Sequence, residues 1–183
     1  YMLNRKSPKK GNFNIFPKDK NTHNILVKLD EFLKTHIEAQ IANGASIIQI
    51  FDSWAGLLPE RDLEYFVYKP IKNLVDFIRK KKAISVCFPR NIKNYQKFVN
   101  KVNPDIINID YNIDPSIIRE TIDIPVQGGL DPKILLQNKE IVRNEVTKYL
   151  KTFDKKRYIF NLGHGVLPET NPDMVRYLVD VVR

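Results

Sequence analysis

Apolar residues along the chain follow two spacings that alternate from one segment to the next. Leucine and isoleucine recur every four residues between Leu29 and Ile41, and this pattern stops at Gly44. Such spacing places apolar side chains on one face of a helix, which the glycine then ends. The next segment, ASIIQIF (45–51), is a β-branched run too short for a helix. It predicts a buried strand.

The alternation of strand and helix continues along the rest of the chain. Strands are predicted at 45–51, 83–88, 105–110, 124–127 and 157–162. Helices are predicted at 24–44, 62–82, 91–102, 114–121, 131–153 and 171–183. Pro70 is the point where the second helix can break, and Asn171 is the expected cap of the last. The strands are apolar at most positions, which predicts apolar side chains on both faces of a covered sheet.

Strands followed by helices predict a parallel sheet with right-handed crossovers. A doubly wound open sheet and a TIM barrel both fit this pattern, but no GxGxxG turn follows any strand. The strand ends carry polar and aromatic residues, as at the mouth of a barrel: Phe51-Asp52-Ser53-Trp54, Phe88-Pro89-Arg90, Asp110-Tyr111, Gln127-Gly128-Gly129 and Gly163-His164-Gly165. We therefore predict an α/β fold, the carboxy-terminal five strand–helix units of a (β/α)8 TIM barrel. About three strands would lie upstream of Tyr1.

The composition suits one globular domain. The chain has 183 residues, of which 43% are hydrophobic and 28% charged. Residues 1–183 are therefore expected to form the carboxy-terminal part of a single barrel domain, with its amino-terminal part absent. The single cysteine, Cys87, excludes an internal disulfide and a multi-cysteine zinc site, and it fits a cytoplasmic location. No apolar run is long enough to predict a membrane span.

The net charge of +9 raises the question of nucleic-acid binding. Residues 1–20 contain six basic residues and one acidic residue, whereas the other basic residues lie among acids on predicted helices. This distribution favours a solvated lysine-rich surface, or the attraction of a polyanionic small substrate, over a nucleic-acid site.

Three blocks of the sequence resemble the signature motifs of the uroporphyrinogen decarboxylase family. They are QIFDSWAG (49–56), PVQGGLDP (125–132) and RYIFNLGHGVLPETNPDMV (157–175). The resemblance implies a distorted TIM barrel that forms a cytoplasmic homodimer. It also implies an enzyme of haem and porphyrin biosynthesis that decarboxylates the four acetate side chains of uroporphyrinogen III to give coproporphyrinogen III, without a metal or an organic cofactor.

The same resemblance carries site residues over to this chain. Tyr1 corresponds to the family's active-site tyrosine, Phe51 and Ser53 to its cleft segment, and His164 to the histidine of NLGHG. These four residues are expected to bind substrate. Gly129 stands where the family commonly has asparagine, so a polar contact is expected to be lost. The family's arginine block and its aspartate lie upstream, so the catalytic residues within this chain stay unassigned.

Two residues and two other functions remain open. Asp52 is expected either to satisfy backbone groups at a strand end or to face the cleft, and Arg90 either to bind a substrate carboxylate or to form a structural salt bridge. A related methyltransferase of the same superfold acts on coenzyme M or a corrinoid, but needs a zinc-bound thiolate that one cysteine does not favour. The other alternative is a non-catalytic basic half-barrel that binds nucleic acid or a partner chain.

Overall fold

The computed structural model describes residues 17–153 and 157–183, so Tyr1 lies outside the described residues. Within them, helices and strands alternate as predicted. The helices are α1 (Lys20–Ala42), α2 (Glu60–Leu63), α3 (Lys69–Lys80), α4 (Tyr95–Val102), α5 (Pro115–Thr121), α6 (Lys139–Thr152) and α7 (Pro172–Val182). The strands are β1 (Ile47–Asp52), β2 (Ile84–Pro89), β3 (Ile106–Ile109), β4 (Val126–Gly128) and β5 (Tyr158–Ile159). Two 3₁₀ turns, Ala55–Leu57 and Pro132–Leu136, lie between them.

The strands form one parallel sheet in the order β1-β2-β3-β4-β5. Each strand therefore pairs with the next one along the chain. A doubly wound sheet reverses its strand order at a switch point, whereas the strands of a TIM barrel follow one another in sequence. The five predicted parallel strands are confirmed, and their consecutive order is that of a barrel segment. Strand β5 is shorter than predicted, and its pairing resumes only at Leu162, opposite Leu130.

Side-chain caps begin most of the longer helices. In each case an oxygen of the capping residue accepts a hydrogen bond from a backbone N–H of the first turn, which would otherwise lack a partner. The caps are Asp19 for α1, Asn94 for α4, Asp114 for α5, Asn138 for α6 and Asn171 for α7. The predicted cap at Asn171 is confirmed. These caps fix the first residue of each helix and therefore the length of the loop that precedes it.

The helix predicted over 62–82 is continuous but changes its winding before Pro70. A π-helical turn, Glu64–Tyr68, joins α2 to α3, and the N–H of Lys69 donates to the carbonyl of Glu64. Proline has no N–H to donate and its ring collides with the preceding turn of a regular helix, so a wider turn accommodates it. The predicted break is therefore a local change of pitch.

The two faces of the sheet differ. On one face, which we call the helix-covered face, β-strand side chains pack against the helices; Cys87, Ile107 and Ile109 are fully buried there. On the other, the open face, Ile47 is 51% exposed and Phe51 is 66% exposed. The described helices thus cover only one side of the sheet. Most strand side chains on the open face are apolar, as predicted, but no described helix covers them, and three amide side chains stand among them: Gln49, Asn108 and Gln127.

Helix α1 is confirmed, but its apolar stripe is only partly buried. Ile37 packs with Leu74 and Ile78 of α3, which fixes α1 beside the sheet. Phe32, which adjoins this stripe, is 69% exposed, and Leu33 is 39% exposed. One side of α1 therefore has no neighbour among the described residues.

Candidate active site

A cavity of about 320 Å³ lies on the open face, at the carboxyl ends of the strands. Its lining comes from β1, β2, β3 and the segment that follows β5: Gln49, Phe51, Ser53, Phe88, Asn108 and residues 161–165. Because both the first and the last strand of the sheet reach this cavity, the sheet curves around it. The active sites of TIM-barrel enzymes lie at this end of the strands.

Two aromatic rings form one wall of the cavity. Phe51 of β1 pairs with Phe88 of β2 in the strand register, and their rings meet edge to face with centroids 6.0 Å apart. Phe88 is buried while Phe51 is largely exposed. The buried ring therefore supports an exposed one, which offers an apolar surface to a flat ligand.

The segment after β1 turns so that Ser53 lies in the cavity. Gly56 makes this turn possible, because a Cβ atom at this position would lie 2.1 Å from the carbonyl oxygen of Asn91. The Gly56 N–H also donates to the carbonyl of Arg90 at 2.9 Å, and Ala55 is buried beside it. The small residues of the DSWAG segment thus fix the β1 end to the β2 end, and Ser53 is held by that contact.

Asp52 has a different place from its neighbours. Its Oδ1 accepts a hydrogen bond from the backbone N–H of Trp54 at 3.3 Å, and it does not line the cavity. Burial raises the pKa of its carboxyl, and the hydrogen bonds from the Trp54 and Ala55 backbone oppose that shift. The geometry favours the first of the two expectations for Asp52, a residue that satisfies backbone groups at the strand end.

His164 is exposed and lines the cavity opposite β1. The glycines beside it differ in their surroundings. A Cβ atom on Gly163 would lie 2.5 Å from the backbone nitrogen of Tyr111, whereas nothing lies within 4 Å of one on Gly165. Gly163 also donates its N–H to the carbonyl of Leu130 at 2.7 Å. Gly163 therefore lets the chain pass close to the end of β3, and this contact fixes where His164 stands.

Asp110, at the end of β3, supports the site from behind. Its carboxylate accepts hydrogen bonds from the Tyr95 hydroxyl at 2.9 Å, the Asn91 N–H at 2.6 Å and the Asn112 N–H at 2.8 Å. Burial and the charge of Asp110 raise the pKa of Tyr95. A carboxylate with this many donors is fully engaged within the protein, so we assign Asp110 to the framework of the site.

Two other strand-end residues also lie outside the cavity lining. The Nε of Arg90 is buried without a hydrogen-bond partner among the described residues, and no salt bridge to Arg90 is found within them. Gly129 has a φ of +107°, and a Cβ atom there would lie 2.7 Å from Cε1 of Tyr149. The Tyr149 hydroxyl donates to the Gly129 carbonyl at 2.7 Å. The tyrosine ring therefore occupies the space beside the position where the family motif has asparagine.

Of the predicted site residues, the structure brings Phe51, Ser53 and His164 to one cavity. Tyr1 lies outside the described residues and stays a prediction. Sequence reasoning missed three polar lining residues: Gln49, Asn108 and Asn161. The available signal was a single amide inside each otherwise apolar run, as in IIQIF and IINI. Among the described residues, no group of three His, Cys, Asp or Glu could hold a metal ion, and no helix could span a membrane.

The sequence profile of the uroporphyrinogen decarboxylase (URO-D) family matches residues 5–183. The chain is 43% identical over 156 residues to the uroporphyrinogen decarboxylase of Rickettsia bellii (strain RML369-C), covering 81% of this chain and 45% of the relative. It is 39% identical over 152 residues to that of Rickettsia felis (strain ATCC VR-1525 / URRWXCal2), covering 81% of this chain and 44% of the relative.

Among solved structures, a thiamine phosphate pyrophosphorylase from Pyrococcus furiosus aligns with 84% of this chain and 91% of its own, at 15% identity and a TM-score of 0.35. A TM-score this low does not establish a shared fold. The chain spans about 45% of the length of the curated relatives that it matches. With the profile matched along nearly the whole sequence, the chain belongs to the uroporphyrinogen decarboxylase family.

Proposed function

We propose that this chain is the carboxy-terminal part of a uroporphyrinogen decarboxylase, a carboxy-lyase that converts uroporphyrinogen III to coproporphyrinogen III without a metal or organic cofactor. One observation carries the proposal. Phe51, Ser53 and His164 come from two motifs far apart in the sequence, and they line the same cavity at the carboxyl ends of a parallel sheet. This is the arrangement that substrate binding by those motifs requires.

The reaction sets clear demands on the site. Each acetate arm, –CH2–COO⁻, takes up one proton and becomes –CH3 with release of carbon dioxide. Breaking the carbon–carbon bond leaves an electron pair, which the pyrrole ring can accept once a ring carbon has been protonated. The enzyme must therefore hold an electron-rich tetrapyrrole, orient one carboxylate and stabilise charge in a cleft that excludes water.

The described residues suit the binding part of this task. The exposed Phe51 ring, supported by Phe88, packs against the macrocycle. The Ser53 hydroxyl and the His164 imidazole donate hydrogen bonds to carboxylate arms. The hydroxyl of Tyr1 would act in the same way, although it lies outside the described residues.

The site needs groups that this chain does not contain. The family's arginine block and its aspartate lie upstream in the resemblance, and the open face leaves Ile47, Ile84 and Ile159 between 43% and 51% exposed. Among the described residues, no strand pairs with the outer edges of β1 and β5, and exposed apolar side chains on this face are what the remaining barrel strands would cover. We therefore propose that the chain is inactive and poorly folded alone, and active in the assembled enzyme, meaning this chain combined with the amino-terminal part of the barrel.

Partners and location follow from the same proposal. The substrate is uroporphyrinogen III, and the assembled enzyme is a homodimer that acts in the cytoplasm. The single cysteine, Cys87, is unpaired and buried, as is usual in a reducing compartment.

The alternatives receive less support. Burial raises the pKa of Cys87 inside β2, so this thiol is poorly placed to become the zinc-bound thiolate of a methyltransferase. Nucleic-acid binding needs a free basic face, yet many described basic residues pair with acids: Lys18, Lys34, Arg61, Lys72, Arg79, Lys81, Lys97, Lys101 and Arg176.

The test is anaerobic incubation of the assembled enzyme with uroporphyrinogen III, followed by chromatography of the oxidised porphyrins. We expect coproporphyrin from the assembled enzyme and none from either part alone. Ser53→Ala and His164→Asn should each reduce kcat/KM by roughly 10- to 100-fold, the effect of losing one hydrogen bond to a charged group. His36→Asn, an exposed histidine on α1, is the matched control and should be unchanged. No coproporphyrin from a folded assembled enzyme would refute the proposal.

A further inference from the structure

Three amide side chains form a connected cluster on the open face, directly behind the cavity. Gln49 of β1, Asn108 of β3 and Gln127 of β4 make up this amide cluster. Asn108 is 3% exposed and Gln127 is 8% exposed. Burying an amide costs free energy unless its hydrogen bonds are replaced, so these side chains must take orientations that satisfy one another.

Gln127 sets those orientations. Its Nε2 donates to Oδ1 of Asn108 at 2.7 Å and to Oε1 of Gln49 at 3.3 Å. An amide nitrogen carries two hydrogens, so these two bonds use both of them. With their oxygens turned toward Gln127, Asn108 and Gln49 direct their nitrogen ends elsewhere. The reverse orientation would need all three amides to turn together.

The two amide nitrogens that do not bond within the cluster belong to residues that line the cavity. Gln49 and Asn108 line the cavity, whereas Gln127 does not. Nδ2 of Asn108 donates to the Ile109 carbonyl at 3.3 Å, which leaves one hydrogen free, and Nε2 of Gln49 has no partner among the described residues. The hydrogens that the cluster leaves free therefore belong to two residues that line the cavity, while the oxygens of these two residues face Gln127.

Asn161, across the cavity, repeats this arrangement independently. Its Oδ1 accepts a hydrogen bond from the Leu162 N–H at 2.8 Å, and its Nδ2 has no partner among the described residues. Ser53 and His164 add further donors to the same lining. No Asp, Glu, Lys or Arg is among the described lining residues. The described part of the lining is thus neutral and rich in donors, which suits an anionic acceptor such as a carboxylate.

We propose that Gln49, Asn108 and Asn161 bind a carboxylate arm of the substrate through their amide N–H groups. Gln127 is a positioning residue that holds the first two in the donating orientation. This inference rests on the proposed function for the identity of the substrate, but the carboxylate chemistry comes from the amide geometry. Neutral donors hold a carboxylate in place without the strong charge pairing that would slow release of the product.

The decisive variant is Gln127→Glu in the assembled enzyme. A carboxylate at this position would face two carbonyl oxygens, so Asn108 and Gln49 would turn their nitrogen ends toward it and their oxygens toward the cavity. We expect the affinity for uroporphyrin I, measured by fluorescence titration, to fall about 10-fold or more. The loss should diminish as the pH falls, because burial raises the pKa of the introduced carboxyl and its protonated form is neutral.

Three comparisons complete the experiment. Gln137→Glu, which adds the same charge at an exposed position, should leave the affinity and its pH profile unchanged. Gln49→Met and Asn108→Leu remove one donor each at similar volume. With uroporphyrinogen as substrate they should raise KM about 10-fold while changing kcat less, which a purely structural role would not produce.

The outcomes separate this inference from the proposed function. An assembled enzyme that binds uroporphyrin through the amides but releases no carbon dioxide would refute the proposed function and support the subsite. One that decarboxylates uroporphyrinogen with unaltered KM in Gln49→Met and Asn108→Leu would overturn the subsite alone. Lack of uroporphyrin binding by the unmodified assembled enzyme, or loss of binding in Gln127→Glu that is independent of pH, would also overturn it.

Discussion

The helix-covered face and the open face are built from the same five strands, yet they differ in burial and in polarity. On the helix-covered face, side chains such as Ile107 and Ile109 are fully buried among helices. On the open face, Phe51 is 66% exposed and three amide side chains stand among the apolar ones. One face therefore holds the sheet and helices together, and the other carries the cavity.

This difference follows from the geometry of a strand, in which neighbouring side chains point to opposite faces. Ile48 packs toward α1 and α3, while its neighbour Gln49 lines the cavity. A single strand can thus serve stability and function at once, without one constraining the other. The comparison predicts that equal substitutions on the two faces have unequal consequences.

The largest difference is expected between two phenylalanines. Phe98→Ala removes a fully buried ring of α4 and should lower the free energy of unfolding by about 3–5 kcal/mol. Phe51→Ala removes an exposed ring, so it should cost less than about 1 kcal/mol and instead weaken uroporphyrin binding. Urea denaturation and porphyrin titration of the assembled enzyme measure the two effects. Equal losses of stability would show that the open face is as much a part of the core as the other.

A smaller effect is expected at Gly129, which follows β4 at the cavity end but packs toward Tyr149. Gly129→Asn restores the residue common in the family motif, yet its φ of +107° and the ring 2.7 Å from the new Cβ oppose it. We expect the free energy of unfolding to fall by about 1–3 kcal/mol.

Gly165→Asn is the matched control for Gly129→Asn. Nothing lies within 4 Å of a Cβ atom at Gly165, so the free energy of unfolding should change by less than about 0.5 kcal/mol. Thermal or urea unfolding of the two variants side by side makes the measurement. If Gly129→Asn unfolds like the unmodified protein, the Tyr149 ring does not restrict this position.

The sequence predicted the helix-covered face better than the open face. Periodicity locates helices and strands because burial behind helices selects apolar residues at regular intervals, and caps such as Asn171 follow from local chemistry. The family motifs placed Phe51, Ser53 and His164 in one cavity. Periodicity could not show that Gln49 meets Gln127, because that contact depends on how the sheet curves, which joins residues far apart in sequence.

Two other features of the structure could not be predicted, because they depend on the tertiary structure and not on the local sequence pattern. Phe32 is 69% exposed although it adjoins the apolar stripe of α1. The role of Gly163 follows from the backbone of Tyr111, which approaches it from the turn after β3. In both cases the residue type was clear from the sequence, but its surroundings came only with the tertiary structure.

The smallest expected effect concerns the charge of Asp52 in β1. Because alternate residues of a strand point to the same face, Asp52 lies on the helix-covered side with Ile48 and Ile50. Burial raises the pKa of the Asp52 carboxyl above its ordinary value of 3.8. A group with a raised pKa stabilises the fold below its ordinary pKa, and that contribution is lost as the pH rises through the folded-state pKa. The Asp52→Asn variant has no carboxyl at this position, so it does not undergo this loss of stability. Its melting temperature relative to the unmodified protein should therefore increase as the pH rises from about 4 to about 7.

Asp114 provides a control of opposite sign. Hydrogen bonds from Ser116 lower the pKa of its exposed carboxyl, so its contribution is present above the ordinary value and lost as the pH falls. The melting temperature of Asp114→Asn, relative to the unmodified protein, should therefore decrease as the pH rises toward about 4 and stay level at higher pH, where the carboxyl is ionised in both the folded and the unfolded chain. Comparing each variant with the unmodified protein cancels the titration of all other groups. If the relative melting temperatures of both variants change in the same direction as the pH rises, burial does not determine the pKa of Asp52. The end of β1 would then tolerate a charge as readily as an exposed helix cap does.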